Sequence, residues 1–392
     1  MQSLNGPFDD KGQAVDSAAQ TTLSPATHQA KANRNLAVRL ILAALLFVAI
    51  EALVFHTHFY SDVLAPDSAA GSLKLNLDEE ARRPRNGPNQ VLGIGDSRMG
   101  LWRRATDPQL GEVGYTFANI ATPGTYPRCW YYMLREVDPH RNRYAAIAIA
   151  MNEYEDDDWG DHSSADADIH YLTSLLRMTD LFEFGMSFPT WKQRKKAMLS
   201  ILLKGLTYKR DFQDLLVNHE ARFKEIGWIP QNLAKARYDY VGPSTSVAGL
   251  EVDWTARKIV RYPPNSTPGE QMEFVNTLLR PTANCTGQRA AYRRQWFGKI
   301  LEYYRGTRTR IVFFRMPRGP VVRPYPMSTQ SSLVREFAAR GEALLLDEHT
   351  FDALERPEFF MDPVHLNGPG CERFSQMLAR AVGRALPQSD AR

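Results

Sequence analysis

The sequence predicts an α/β domain on a parallel sheet, carried behind a single membrane-spanning helix. Three observations lead there. Residues 36–55 form a run of twenty largely apolar residues near the N-terminus. Short apolar stretches recur at 91–94, 116–120, 144–150, 311–314 and 343–346, and runs without polar alternation mark strands covered on both faces. Helical periodicity separates or follows them. It is clearest in 371–386, where Phe374, Met377, Leu378, Ala381 and Val382 recur at spacings of three and four and give one apolar face.

As a helix, the apolar run would extend about 30 Å, the thickness of a hydrocarbon core. Arg39 near its start can reach the headgroups, and Glu51 sits near its far end. Between them, residues 40–50 are uninterrupted. Such a core also suits a buried soluble helix or the apolar part of a cleaved signal. The flanks favour an anchor: Lys31 and Arg34 precede the run and Asp62 and Asp67 follow it. That bias places the N-terminus in the cytoplasm and the rest outside the inner membrane, on the periplasmic side. Residues 1–35, polar and without a period, are expected to be a disordered cytoplasmic leader. Residues 56–89, with Pro66, Pro84 and Pro88, are expected to be a linker, and 90–388 to be the folded domain.

Composition narrows the classes further. With 392 residues, 43% hydrophobic, the chain can bury a full core without disulfide or metal staples. Its 48 Lys and Arg against 44 Asp and Glu give a formal charge of +4, too balanced for a nucleic-acid footprint. Three cysteines, Cys129, Cys285 and Cys371, make no metal spacing, although Cys129 and Cys285 could pair in an oxidising compartment. No cofactor is called for.

The predicted strands are unevenly spaced. Residues 160–305 read as a largely helical insertion forming a cap or cleft wall, with helical spacing at 171–184, 192–203 and 211–224. Between residues 186 and 230 lie nine Lys and Arg against four Asp and Glu. That basic character could face an acidic polymer or lipid headgroups, but its commoner meaning is a solvated face. Pro243, Pro263, Pro264, Pro268 and Pro281 are expected to break the later part into loops.

The chemistry-bearing residues sit just after predicted strands. Gly95-Asp96-Ser97 follows the first, putting Ser97 at the carboxyl end of a parallel strand, where α/β folds place ligands. Met361-Asp362-Pro363-Val364-His365 follows the last. Asp362 is close enough in sequence to hold the His365 ring in one tautomer, leaving the other ring nitrogen to take a proton from Ser97. Gly124 and Asn152 each follow a further strand. The Ser97 and Gly124 N–H groups with the Asn152 amide would make a three-donor oxyanion hole. Each piece alone has a plain structural reading. Gly-Asp-Ser makes ordinary turns and caps, Asp362 with Pro363 makes a turn, Asn152 could cap a helix, and Gly124 could serve a turn.

Taken together, the four blocks resemble the SGNH hydrolase (GDSL-like) superfamily, over residues 90–155 and 306–388. The resemblance implies a flavodoxin-like three-layer α/β/α fold and ester hydrolysis or acyl transfer. Ser97 would be the nucleophile, His365 the base, Asp362 the residue behind it, and Gly124 and Asn152 oxyanion donors. Two departures stand out. Ala150 and Glu153 replace the glycine and aspartate usual around the asparagine, and Arg98 replaces the leucine usual after the serine. With its anchor, the chain resembles the D-alanyl transfer protein of teichoic-acid modification and the anchored proteins that O-acetylate exopolysaccharides.

The expected activity is therefore serine-dependent transfer of an acyl group, taken to be acetyl, to a cell-envelope or secreted polysaccharide. A membrane-bound O-acyltransferase is a candidate partner. A carbohydrate esterase or deacetylase of the same fold would share the intermediate. A non-catalytic glycan-binding scaffold would not need Ser97, Asp362 and His365 to converge. Other polar clusters carry less. The acidic run Glu153, Glu155, Asp156, Asp157 and Asp158 has no calcium-loop spacing and reads as a solvated loop. Asp166, Asp168 and His170 do not share a helix face. Trp130, Tyr131 and Tyr132 read as core before they read as a sugar platform.

Overall fold

The computed structural model describes residues 25–83, 89–100, 114–156, 165–239, 244–279, 287–323 and 332–387. The chain divides into two compact units, Met1–Leu53 and Val54–Arg392. In the first, a helix runs from Pro25 to Ile50; a π-helical turn over Glu51–Phe55 follows it in the chain. Its stretch Asn33–Phe55 has mean hydropathy 2.5 with 6% of its apolar window buried, long and apolar enough to cross a membrane. Leu40, Leu45 and Leu46 are all openly exposed, as side chains facing hydrocarbon would be. The helix starts ten residues before the boundary expected for the leader. Pro25 opens it, where the missing N–H costs nothing, and Ala26, Ala30 and Ala32 favour its propagation. Residues 1–24 lie outside the described residues.

The second unit is mostly helical around a five-stranded parallel sheet. Its strands are β1 (Gln90–Ile94), β2 (Thr116–Asn119), β3 (Ala146–Met151), β6 (Arg310–Arg315) and β7 (Leu344–Leu345). They lie in the order β2-β1-β3-β6-β7. An antiparallel hairpin, β4 (Glu251–Asp253) with β5 (Lys258–Arg261), stands apart.

Alternation along the strands divides the core in two. Leu92, Ile94, Ile147, Ile149 and Phe313 enter one apolar cluster, and Val91, Ala146, Ala148, Ala150, Val312 and Phe314 enter the other. The sheet is thus covered on both faces, which explains why its strands read as unbroken apolar runs. On the first face the helices Pro127–Val137 and Gly287–Tyr304 pack together, burying Trp296, Phe297 and Ile300. On the second, helix Gly368–Ala385 brings Phe374, Leu378 and Val382 into the cluster that holds the β3 alanines.

Five expectations change. The stretch 56–89 is no simple linker: Ala69–Arg82 is a helix capped by the Ser68 side chain, with Leu73 and Leu77 in the core. Of its charged residues, Arg82 is openly exposed while Glu80 is buried. The expected insertion 160–305 also loses its ends to the main body, since Ala165–Leu172 and Gly287–Tyr304 contribute to the cluster on the first face. The predicted helix 171–184 is broken into Ala165–Leu172, Met178–Asp180 and Leu181–Met186. The helix predicted at 211–224 divides at Asn218 into Lys209–Val217 and His219–Asp239. Finally, the proline-rich stretch holds structure. Pro268 occupies the first turn of helix Pro268–Leu278, behind a Thr267–Glu270 capping box.

Candidate active site

β1 lies between β2 and β3, so the ends of these three strands carry Ser97, Gly124 and Asn152 to one edge of the sheet. Gly95 follows β1 where no side chain fits: a Cβ there would lie 2.8 Å from Ala150 Cβ and 2.9 Å from Met99 Cβ. Ser97 then opens the short helical turn Ser97–Gly100. Leu101 and Trp102, which follow it in the sequence, lie outside the described residues.

The residues on either side of Ser97 pair with each other. Asp96 Oδ1 accepts from the Arg98 amide at 3.0 Å and from Arg98 Nε at 3.1 Å, and Oδ2 accepts from Nη2 at 2.7 Å. Arg98 therefore forms a forked clamp on the neighbouring carboxylate. Asp96 is thereby committed to Arg98.

His365 is presented by a tight loop. Met361 N–H donates to the His365 carbonyl at 2.9 Å, and Asn367 N–H donates to the Phe359 carbonyl at 2.9 Å. The Asn367 side chain caps the final helix by accepting from Gly370 N–H at 3.0 Å. Within the loop, Asp362 Oδ1 accepts the amides of Val364 at 2.8 Å and His365 at 2.7 Å. Its Oδ2 lies 2.7 Å from His365 Nδ1, and His365 Nε2 lies 2.8 Å from Ser97 Oγ. With Nδ1–H donating to the carboxylate, Nε2 has its lone pair free to accept from the Ser97 hydroxyl. Burial pushes the Asp362 carboxyl up, but hydrogen bonds from His365 and the two amides outweigh it and hold the group below the usual carboxylate range. Both side chains remain about a quarter exposed, open to solvent.

Gly124 lies in a turn after β2 at φ +72°, a conformation that suits glycine. Thr122 N–H donates to the Gly95 carbonyl at 3.2 Å, tying this turn to the serine turn, and the Thr125 hydroxyl, 3.3 Å from the same carbonyl, donates to the Thr122 carbonyl at 2.7 Å. The Tyr171 hydroxyl donates to the Pro123 carbonyl at 2.6 Å. Asn152 follows β3 directly and lines a narrow cleft with Asp96, Arg98, Trp130 and Arg293. Sequence reasoning missed Arg293. Its buried guanidinium donates to the Glu153 carbonyl at 3.2 Å and to the Glu155 carbonyl, fixing the loop that carries Asn152. A lone arginine 140 residues away leaves no sequence signal for this.

The acidic run beyond Asn152 is not a solvated loop where described. Asp156 is buried and accepts the Leu333 amide at 3.1 Å, and Glu155 pairs with Arg335 at 3.2 Å. Asp157 and Asp158 lie outside the described residues. Asp168 pairs with Arg128 at 3.0 Å inside the core and accepts from the Cys129 thiol. Cys129 is a free thiol, and Cys285 lies outside the described residues. Trp130 and Tyr132 are core side chains, with Tyr131 packed against them. Among the described residues, no group of three or more His, Cys, Asp and Glu converges as metal ligands.

Comparison with protein-family models gives no match to this chain, and comparison with curated proteins gives none.

Proposed function

We propose that the chain is a membrane-anchored serine acyl-transfer enzyme of the SGNH type, which moves a short acyl group onto a hydroxyl of a cell-envelope or secreted polysaccharide. The observation that carries this reading is the aligned chain Ser97 Oγ–His365 Nε2–Asp362, with links of 2.8 and 2.7 Å. A scaffold without catalysis has no need of that alignment. The strand order supports the flavodoxin-like three-layer fold, whose doubly wound sheet runs 2-1-3-4-5 and places ligands beyond its strand ends. The anchor supports a substrate at the envelope, with the domain on the periplasmic side of the inner membrane.

In this reading, Ser97 Oγ attacks the donor's acyl carbonyl while His365 Nε2 takes the hydroxyl proton. The tetrahedral oxyanion is met by donors at the ends of β1, β2 and β3: the Ser97 and Gly124 amides and the Asn152 side chain. Collapse breaks the bond to the donor's alcohol, which leaves with the proton held by His365. The acceptor hydroxyl then attacks the acyl-enzyme, gives its proton to Nε2, and Ser97 recovers that proton as the new ester departs. Asp362 keeps the ring in the required tautomer and balances its charge when protonated. Water in place of the sugar would make the same cycle an esterase.

A fluorophosphonate probe tests the reading. Wild-type protein should be labelled at Ser97, and both labelling and acyl transfer from an activated acetyl ester should vanish in Ser97→Ala. Equal turnover by the two proteins would end the serine mechanism. Release of the acyl group only on adding an oligosaccharide would identify a transferase, and release into water alone an esterase.

A further inference from the structure

We propose that the outer face of residues 191–206 lies in the interfacial layer of the lipid bilayer, holding the domain against the membrane beside the end of its own anchor. This rests on reading Asn33–Phe55 as membrane-spanning.

Helix Trp191–Leu202 is apolar on two sides. Ala197 and Ile201 are buried in the core. Trp191, Leu199 and Leu202 fall on the opposite side by helical angle and are 59%, 48% and 39% exposed, and Leu206 beyond the helix is 60% exposed. A surface helix in water normally turns a polar face outward. Its setting is firm, with Thr190 and Gln193 forming a capping box at the start. Lys195 shares the outer stripe, its ammonium 5.7 Å from the Trp191 ring centre. Residues 191–210 hold seven Lys and Arg and no Asp or Glu.

The place of this face identifies its occupant. Phe55, the last residue of the apolar span, packs against Phe212 and Tyr208 at ring separations of 5.6 and 6.3 Å. The next residue, His56, reaches the carbonyl of Leu202 through Nε2 at 3.3 Å, so one end of the stripe adjoins the point where the chain leaves the span. Asp211 locks this arrangement by accepting from the Tyr60 hydroxyl, from Ala65 N–H at 3.0 Å and from Arg222 at 3.1 Å. Consecutive Cα atoms are about 3.8 Å apart, so the Leu202 carbonyl lies within one imidazole side chain and one hydrogen bond of the residue next to the end of the span. Leucines entering the acyl boundary, a tryptophan at headgroup depth and lysines toward anionic phosphates are the composition that the interface selects.

The test uses the full chain with Cys285→Ser, since Cys129 and Cys371 are buried, reconstituted in phosphatidylethanolamine–phosphatidylglycerol vesicles. Nitroxide labels at Leu199→Cys and Leu202→Cys are compared with one at Lys258→Cys. That control sits on the hairpin whose Ile259 packs against the other face of the sheet. The stripe labels should be several-fold more accessible to oxygen than to a water-soluble nickel chelate, with the ratio reversed at Lys258→Cys. Nickel accessibility equal to the control would overturn the proposal, as would labels shielded from both reagents, the mark of a protein contact. Extraction with alkaline carbonate separates the premise: a chain that stays in the vesicles with a water-exposed stripe refutes the docking alone, and a chain that is released refutes the span and the docking together.

Discussion

Ser97 and His365 stand 268 residues apart in the chain and 2.8 Å apart in space. β1, between β2 and β3, brings the serine to the carboxyl edge of the sheet, and the loop before the last helix returns the histidine to it. The contact is held from both ends. Gly95 and the Thr122–Thr125 turn fix the serine side, and Asp362 and Asn367 fix the histidine side. Such support lets a site keep its geometry without the substrate's help.

Asp362→Asn should lower kcat for acyl transfer by about 10²- to 10⁴-fold while probe labelling of Ser97 slows without disappearing. The asparagine oxygen can keep the Val364 and His365 amides, which turns its NH2 toward Nδ1. The ring then carries its proton on Nε2 and offers Ser97 a donor instead of a base. Single-turnover kinetics with an activated ester would check this. An unchanged rate would remove Asp362 from the machinery.

Asp362 also makes stability depend on pH with a definite sign. Its folded pKa is depressed, below an unfolded value of about 3.9. Its contribution is therefore full above the unfolded pKa and is lost as pH falls through the folded one. The stability gap between wild type and Asp362→Asn should shrink as pH falls below about 4. Denaturant titrations below that pH measure it, and a gap that widened there would contradict the sign.

The sheet and the three hydrogen-bonded residues were legible because each leaves a local mark. β3 is an unbroken apolar run, and Asp362 and His365 sit three positions apart between the last strand and the last helix. What stayed hidden depends on distant contacts. Helix Ala69–Arg82 hides among prolines and mixed charges, because its apolar side is only a few residues wide. Arg293 pins the Asn152 loop through backbone carbonyls, which carry no sequence identity. The acidic residues after Asn152 looked solvated because their partners, Leu333 N–H and Arg335, come from a helix far along the chain.

Gly95→Ala should destabilise the protein by about 1–3 kcal/mol and lower turnover by more than its stability loss suggests. The added methyl meets two fixed Cβ atoms, on Ala150 at 2.8 Å and on Met99 at 2.9 Å, so β3 or the serine turn must shift. A displacement near 1 Å at the nucleophile can reduce rate about 10²-fold. Ala150→Gly removes one of the two contacts, and the double variant should be less destabilised than the sum of the singles. A double-mutant cycle in denaturant, with the rate measured alongside, tests it; strict additivity would mean that the close approach does not govern the site.

Glu80 tests whether Ala69–Arg82 belongs to the folded body. Its carboxylate is buried and accepts from the Tyr144 hydroxyl at 2.9 Å, with Arg143 and Arg83 at 3.3 and 3.4 Å. Burial, and then the carboxylate beside it, push the Tyr144 phenol up, so the hydroxyl stays a donor at every working pH. Arg143 also donates to the Glu80 carbonyl, so the cluster joins the helix backbone to the segment leading into β3. Glu80→Ala would leave two largely buried guanidinium groups without this countercharge, a loss of about 3–5 kcal/mol for a buried pair. Glu80→Gln keeps an acceptor for Tyr144 and should cost less, about 1–3 kcal/mol. Arg82→Ala, on the exposed side of the same helix, should change stability by less than about 0.5 kcal/mol. Urea titration of the detergent-solubilised full chain, followed by near-ultraviolet circular dichroism, ranks the three. If Glu80→Ala proved as mild as Arg82→Ala, the helix would be a tether after all, and the folded body would begin at β1.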